Sequence, residues 1–263
     1  MKMKRKKKMN TYLKYTLILL ASLLVGALAG FLIAAMNLQE LGNGAEGLLK
    51  LLRGAMLPIL ILLTLLNVIF GEIILKKNAS IGKLLGDTED EEGDALEYEL
   101  EQIGAIGLVG NNILTVLSLI ILSTGYSLEY MESLSAVGNK WLLASFVVFI
   151  LGNSYAGIWQ VRLIKETQKI YPERAADPTS GKFQEQWLKS CDEAEREIIY
   201  QSSYKAYLVM MKVIPILTFA ALLTHLLWNT GVLAVVFLGI AWIFTTLTYS
   251  RNCVVLKGKK LNT

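Results

Sequence analysis

The stretch AMLPILILLTLLNVIFGEIIL, from Ala55 to Leu75, decides the fold. Its single charged residue is Glu72. A run of about 20 apolar residues is what an α-helix needs to cross the roughly 30 Å hydrocarbon core of a bilayer. Inside that core the backbone has no water to bond, and a helix pairs its N–H and C=O groups within one segment. Working outward, the same pattern recurs at Tyr15 to Met36, Ile103 to Ser123, Trp141 to Trp159, Leu208 to Trp228 and Val232 to Tyr249. Charge collects between the runs. The composition agrees: 54% of the 263 residues are hydrophobic and 18% are charged, and mean hydropathy is +0.47. A soluble enzyme, a coiled coil, a disulfide scaffold and a disordered chain are all excluded by this patterning. The expected fold is all-α: a polytopic membrane bundle of about six transmembrane helices, forming a single integral membrane domain over 1–263, with cytoplasmic amphipathic helices.

Orientation follows from where the cations fall. The chain opens Met1-Lys-Met-Lys-Arg-Lys-Lys-Lys8, and Lys14 follows. If this end is cytoplasmic, twenty-three Lys and Arg lie inside and only Lys50, Arg53 and Lys140 lie outside. That asymmetry is the positive-inside pattern, and it places both termini in the cytoplasm. A basic start, an apolar run and Ala27-Leu28-Ala29 also fit a cleavable signal peptide. The run continues to Met36, which favours an uncleaved helix. The basic N-terminus reads as a topology signal that sits well on anionic lipid, so no nucleic-acid partner is expected. Tyr12, Tyr15, Tyr126, Tyr130, Trp141, Trp159, Tyr204, Tyr207, Trp228 and Tyr249 fall near span boundaries and form an expected interfacial belt. Asn229, Thr230 and Gly231 leave only a tight turn between the last two spans, which makes those helices antiparallel neighbours.

Catalytic chemistry finds little to work with. His225 is the single histidine, and Cys191 and Cys253 have no metal-ligand spacing, so no zinc site is expected. No HExxH, P-loop or dinucleotide fingerprint is present. Gly152-Asn-Ser154-Tyr-Ala-Gly157 lacks the spacing of a serine nucleophile motif. No cofactor is expected, and the protein reads as a non-enzyme.

Two inner loops hold most of the soluble mass. The first, 76–102, carries nine acids from Asp87 to Glu101 without an intervening base. Thr88 occupies the position where a calcium loop needs its first acid, so a solvated acidic linker is the better reading. Leu96, Leu100 and Ile103 recur at helical spacing, and the third span should extend inward through them. The second loop, 160–207, contains turns around Pro172 and Pro178. From Lys182 onward an amphipathic helix of about five turns is expected, with Phe183, Trp187, Cys191, Ala194 and Ile198 on its apolar face. That face can pack on the bundle, lie on the membrane or receive a partner. The candidate docking residues are Phe183, Trp187, Cys191, Asp192, Glu193, Glu195 and Tyr200.

Within the spans, Asn67, Asn112 and Asn153 lie at mid-depth and are the candidate intramembrane polar residues. They serve either as hydrogen-bonding glue between helices or as the lining of a polar path, and glue is favoured. No Asp or Glu lies at mid-depth, which argues against a proton-driven pump. Pro58 and Pro215 are candidate kinks. Aligning Asp90-Glu91 with Asp192-Glu193 also matches Leu96 with Ile198 and Tyr98 with Tyr200, and Asn67-x3-Gly71 parallels Asn153-x3-Gly157. These matches suggest a parallel repeat of the kind seen in some transporters.

Gln160-Val-Arg-Leu-Ile-Lys165, Tyr171-Pro-Glu-Arg174, Phe183-x3-Trp187-Leu-x2-Cys191-Asp-Glu-Ala-Glu195 and Ile199-Tyr200-x3-Tyr204-Lys-Ala-Tyr207 resemble a family of Gram-positive bacterial membrane proteins, domain of unknown function 3169. The resemblance covers most of the chain and is sharpest in the second inner loop. It implies an integral membrane protein and supplies no catalytic residues. The resulting expectation is a multi-pass membrane protein that docks a cytoplasmic partner, a regulator or an ATPase, through its inner loops. The alternative is the permease subunit of an ATP-driven exporter.

Overall fold

The computed structural model describes residue 20, residues 38–86 and residues 91–261. These form eight helices: α1 (Leu38–Gly54), α2 (Met56–Gly86), α3 (Glu91–Gly125), α4 (Leu128–Ser133), α5 (Ala136–Ile170), α6 (Phe183–Ser190), α7 (Glu193–Trp228) and α8 (Leu233–Leu261). Five of them, α2, α3, α5, α7 and α8, are long and apolar enough to cross a membrane. They coincide with the second to sixth expected spans. The first expected span and the basic N-terminus fall outside the described residues, Leu20 apart, as does Asp87 to Asp90 of the acidic loop.

Helix length is the first departure from the span count. At 1.5 Å per residue, the 31 to 36 residues of α2, α3, α5 and α7 make rods about 46–54 Å long. That exceeds the roughly 30 Å core by several turns. The surplus collects at one end, where Lys77 on α2 pairs with Glu99 on α3 at 3.2 Å. We call this the charged end. Leu100 and Ile103 are buried and Leu96 packs against them, so α3 does extend beyond its apolar run as the spacing predicts.

Residues 48–214 form one compact unit, built on α2, α3 and α5 packed together. Near the charged end its core gathers Ile74, Leu75, Ile81, Leu100, Ile103, Trp159 and Leu163. A second cluster at the other end joins Met56, Leu60, Leu122 and Leu142. Glycine permits the close approach. A Cβ at Gly71 would lie 2.8 Å from the Trp159 ring, and one at Gly107 would lie 2.9 Å from the same indole. Trp159 therefore sits between two helix backbones and is fully buried. This corrects its assignment to the interfacial belt. Its indole N–H donates to the Gly71 carbonyl at 2.8 Å, which satisfies the one polar atom that burial would otherwise leave unpaired.

At the opposite end, Arg53 of α1 donates from Nε to the Thr124 carbonyl at 2.8 Å, and its guanidinium lies 4.4 Å from the Tyr130 ring centre. A cation on the last carbonyls of α3 is favoured by the helix dipole. Tyr126 donates to the Leu142 carbonyl at 2.9 Å. Pro58 falls in the first turn of α2, just after the break at Ala55 that separates it from α1, a place where a helix tolerates proline.

The single amphipathic helix expected from Lys182 is two helices. The chain breaks at Cys191 and Asp192. Asp192 Oδ1 accepts from the Glu195 backbone N–H at 2.8 Å, and Glu195 Oε2 accepts from the Asp192 N–H at 3.0 Å. This reciprocal capping box starts a new helix at Glu193. The new helix runs without interruption into the fifth expected span. Pro215 lies inside it.

The second unit comprises 1–47 and 215–263. Its described part holds Leu20, the first ten residues of α1, the end of α7, a turn and α8. Asn229 (φ 50°) and Gly231 (φ 86°) supply the left-handed residues of the turn. No residue from Asn229 to Gly258 is buried among the described residues. The helices flanking this tight turn thus bury no face in the turn or in α8, and their apolar surface is available to lipid.

Candidate functional site

The charged end is organised by one residue outside the candidate docking set, Arg174. Its Nη1 donates to the Cys191 sulfur at 2.9 Å. Its Nη2 forms an ion pair with Glu195. The guanidinium also lies over the Trp187 ring at 5.4 Å and the Tyr171 ring at 5.9 Å. Gln168 holds the segment in place by donating to the carbonyls of Arg174 and Ala176, both at 2.6 Å. Arg suits this role because its planar fork carries several donors and stacks on rings. Tyr171 ties the segment to α3 by donating to Glu97 at 2.7 Å. Burial and the Glu97 carboxylate push the Tyr171 phenol up from its ordinary value, so it keeps its proton and remains a donor well into alkaline solution.

The loop between α5 and α6 is shaped by local bonds. Asp177 accepts from the Thr179 backbone N–H at 2.9 Å and from its hydroxyl at 2.8 Å. Those two bonds hold the Asp177 carboxyl below its usual range. Gln186 of α6 accepts from the Asp177 N–H at 3.0 Å. Helix α6 is thereby folded back toward the end of α5. The Phe183 and Trp187 rings meet within it at 5.6 Å, tilted by 45°.

Of the candidate docking residues, Cys191 is buried, and Phe183 and Trp187 are half-buried. The Cys191 thiol donates to the Trp187 carbonyl at 3.2 Å. Asp192 and Glu195 are engaged in the cap, and Glu195 also serves Arg174. Glu193 and Tyr200 remain exposed. Ile198, placed on the same apolar face by spacing, is 64% exposed. The break before Glu193 explains this: residues on either side of it no longer share one helix face.

The intramembrane polar residues are partly regrouped. Asn67 and Asn153 meet in a crevice with Thr64, Thr115 and Ser118, with free space of about 10 Å³. That is the lower limit for one water molecule. Asn153 donates to the Phe149 carbonyl at 2.9 Å. Asn112 does not join them: it is exposed, and its amide oxygen accepts from Gln160 at 3.5 Å. Asn111 takes the inward position instead, is fully buried, and shows no partner for either amide atom. Glu72 reaches across to α5. Arg162 grips both its oxygens, and Tyr155 donates to it at 3.1 Å.

The expected repeat is mixed. The aligned residues Glu91 and Glu193 both lie in helices, α3 and α7, that run on into an apolar span. The aligned glycines differ, however. Gly71 is wedged against Trp159, whereas a Cβ at Gly157 would meet nothing within 4 Å.

That open space belongs to a cleft at the charged end, about 690 Å³, between α3, α5, α6 and the start of α7. Its size is that of a small-molecule site. Gly104, Leu108 and Gly157 line its apolar part, and Glu97, Glu101, Arg174 and Glu195 line its polar part. Among the described residues no group of three or more His, Cys, Asp or Glu is placed to hold a metal ion.

No curated protein and no solved structure matches the chain. A family model does match, over residues 8–252, which include all the helices that build the cleft and the Arg174 cluster, and the chain therefore belongs to the family described as protein of unknown function, DUF3169.

Proposed function

We propose that the protein is a non-enzymatic, multi-pass protein of the bacterial plasma membrane that docks a soluble cytoplasmic partner on its charged end. The observation that carries this reading is the division of labour around Arg174. Phe183, Trp187 and Cys191 are turned toward the Arg174 cluster, which stiffens the second inner loop. The first turns of α7 then present Glu193, Glu197, Ile198 and Tyr200 outward, and all four are exposed. Large apolar side chains within an acidic, water-facing stretch suit a partner with a basic, apolar face. A regulator or an ATPase can each carry such a face. The permease reading has less support, because the crevice between Asn67 and Asn153 holds one water at most.

The expected result is capture of one soluble protein by crosslinking in native membranes. Ile198→Asp with Tyr200→Ala should release it, while Asn112→Ala, exposed on the apolar part of α3, should not. Capture that is indifferent to the double change would overturn the assignment of the surface. Topology is checked separately. Cys253 is exposed, and with the C-terminus in the cytoplasm a membrane-impermeant maleimide should label it only after permeabilisation. Labelling in intact cells would reverse the orientation.

A further inference from the structure

We propose that the cleft at the charged end is a binding site for an amphiphilic amine, an organic ammonium with N–H donors carried on an apolar body. This does not depend on partner docking.

Three features of the cleft select that chemistry. The first is charge. Glu97, Glu101 and Glu195 line it, against a single cation, Arg174. Arg174 is already committed to Glu195, so the cleft keeps a net negative character and disfavours headgroups of net negative charge. The second is shape. Gly104 and Gly157 face open space, and with Leu108 and Ile164 they leave an apolar trough that runs toward the level of the expected spans. The third is an unpartnered acceptor. Asn78 of α2 lines the cleft, is only 1% exposed, and its Oδ1 has no hydrogen-bond partner. A buried acceptor left unpaired is costly, and a ligand N–H would satisfy it. A volume of about 690 Å³ accommodates a drug-sized molecule.

The amine can arrive free or as a lipid headgroup, and the test separates the two. The full chain is placed in phosphatidylcholine nanodiscs, whose headgroup offers no N–H donor. The probe is rhodamine 6G, an apolar aromatic monocation with N–H groups, followed by fluorescence polarisation against empty discs. Saturable binding is expected. Glu101→Gln should weaken it about tenfold, the order expected for loss of a hydrogen bond to a charged group. Gly157→Phe should abolish it by filling the trough, where nothing stands to be displaced. Continued protection of Cys191 from maleimide in both variants shows that the charged end is still folded. Binding no greater than in empty discs overturns the proposal, and so does binding that both variants leave unchanged. If phosphatidylethanolamine discs weaken dye binding, the headgroup amine occupies the site; if they do not, the ligand is a free amine.

Discussion

Trp159→Ala should lower the stability of the 48–214 unit by about 3–5 kcal/mol, the range for truncating a large aromatic in a packed core. The indole fills the space between Gly71 and Gly107 and contributes to the cluster with Ile74, Ile103 and Leu163. The lower half of the range is expected in lipid, because separated helices also find apolar surroundings there and the loss is mainly packing and one hydrogen bond. Trp159→Phe keeps most of the bulk and loses the bond to the Gly71 carbonyl, so about 1–2 kcal/mol is expected. The measurement is the midpoint of unfolding by SDS in mixed micelles. A glycine pair sharpens it. Gly71→Ala should destabilise strongly, because its Cβ would overlap the indole, whereas Gly157→Ala should fall within about 0.5 kcal/mol of wild type, as for a substitution that touches nothing. Equal effects at these two sequence-equivalent glycines would show that Trp159 is not wedged as described.

Arg174→Ala should open the charged end while leaving the three-helix core intact. The Arg174 side chain is 12% exposed and that of Glu195 30%. Removing the cation strands a half-buried carboxylate, frees the Cys191 sulfur and unstacks two rings at once. A loss of about 2–4 kcal/mol of local stability is expected, somewhat under the value for a fully buried pair. Cys191 reports it directly, because a buried thiol reacts only when its segment opens. Its maleimide labelling should accelerate by about 30-fold or more, the factor corresponding to 2 kcal/mol. Cys253, exposed from the start, serves as the internal reference and should not change. Arg174→Lys should label nearly as fast, since a single ammonium cannot stack on two rings while bonding sulfur and carboxylate together. Glu195→Gln should be intermediate. Glutamine still completes the capping box with Asp192, and only the charge is lost. Unchanged Cys191 labelling in Arg174→Ala would remove Arg174 as the organiser of this end.

Neither expectation rests on a residue that its sequence neighbourhood singles out. Trp159 ends an apolar run, where an aromatic ordinarily marks the interface. Arg174 follows Tyr171-Pro172-Glu173 in a turn and resembles any solvated loop cation. Asp192-x-x-Glu195 was legible as a helix start, because a capping box is a local four-residue pattern. Within a run of acids it reads as surface charge instead, and this is why one amphipathic helix was expected where two occur. Asn111 and Asn112 show the same limit. Adjacent amides on a helix point about 100° apart, and only the positions of α2 and α5 decide which of them is buried.

What the sequence determined by itself is the set of helices that can cross a membrane, because span length is set by the thickness of hydrocarbon and reads directly from runs of apolar residues. It also determined that α3 extends beyond its span, since helical spacing is local. The tertiary structure alone decided which faces meet: the wedge of Trp159 between two glycines, the inward turn of Asn111, the gathering of Arg174, Cys191 and Glu195, and the open trough beside Gly157. In lipid, apolar side chains gain little by leaving one apolar environment for another, so hydropathy does not tell a packed helix face from a lipid-facing one. Shape, close backbone approach and hydrogen bonds between helices make that choice, and those depend on residues far apart in the chain.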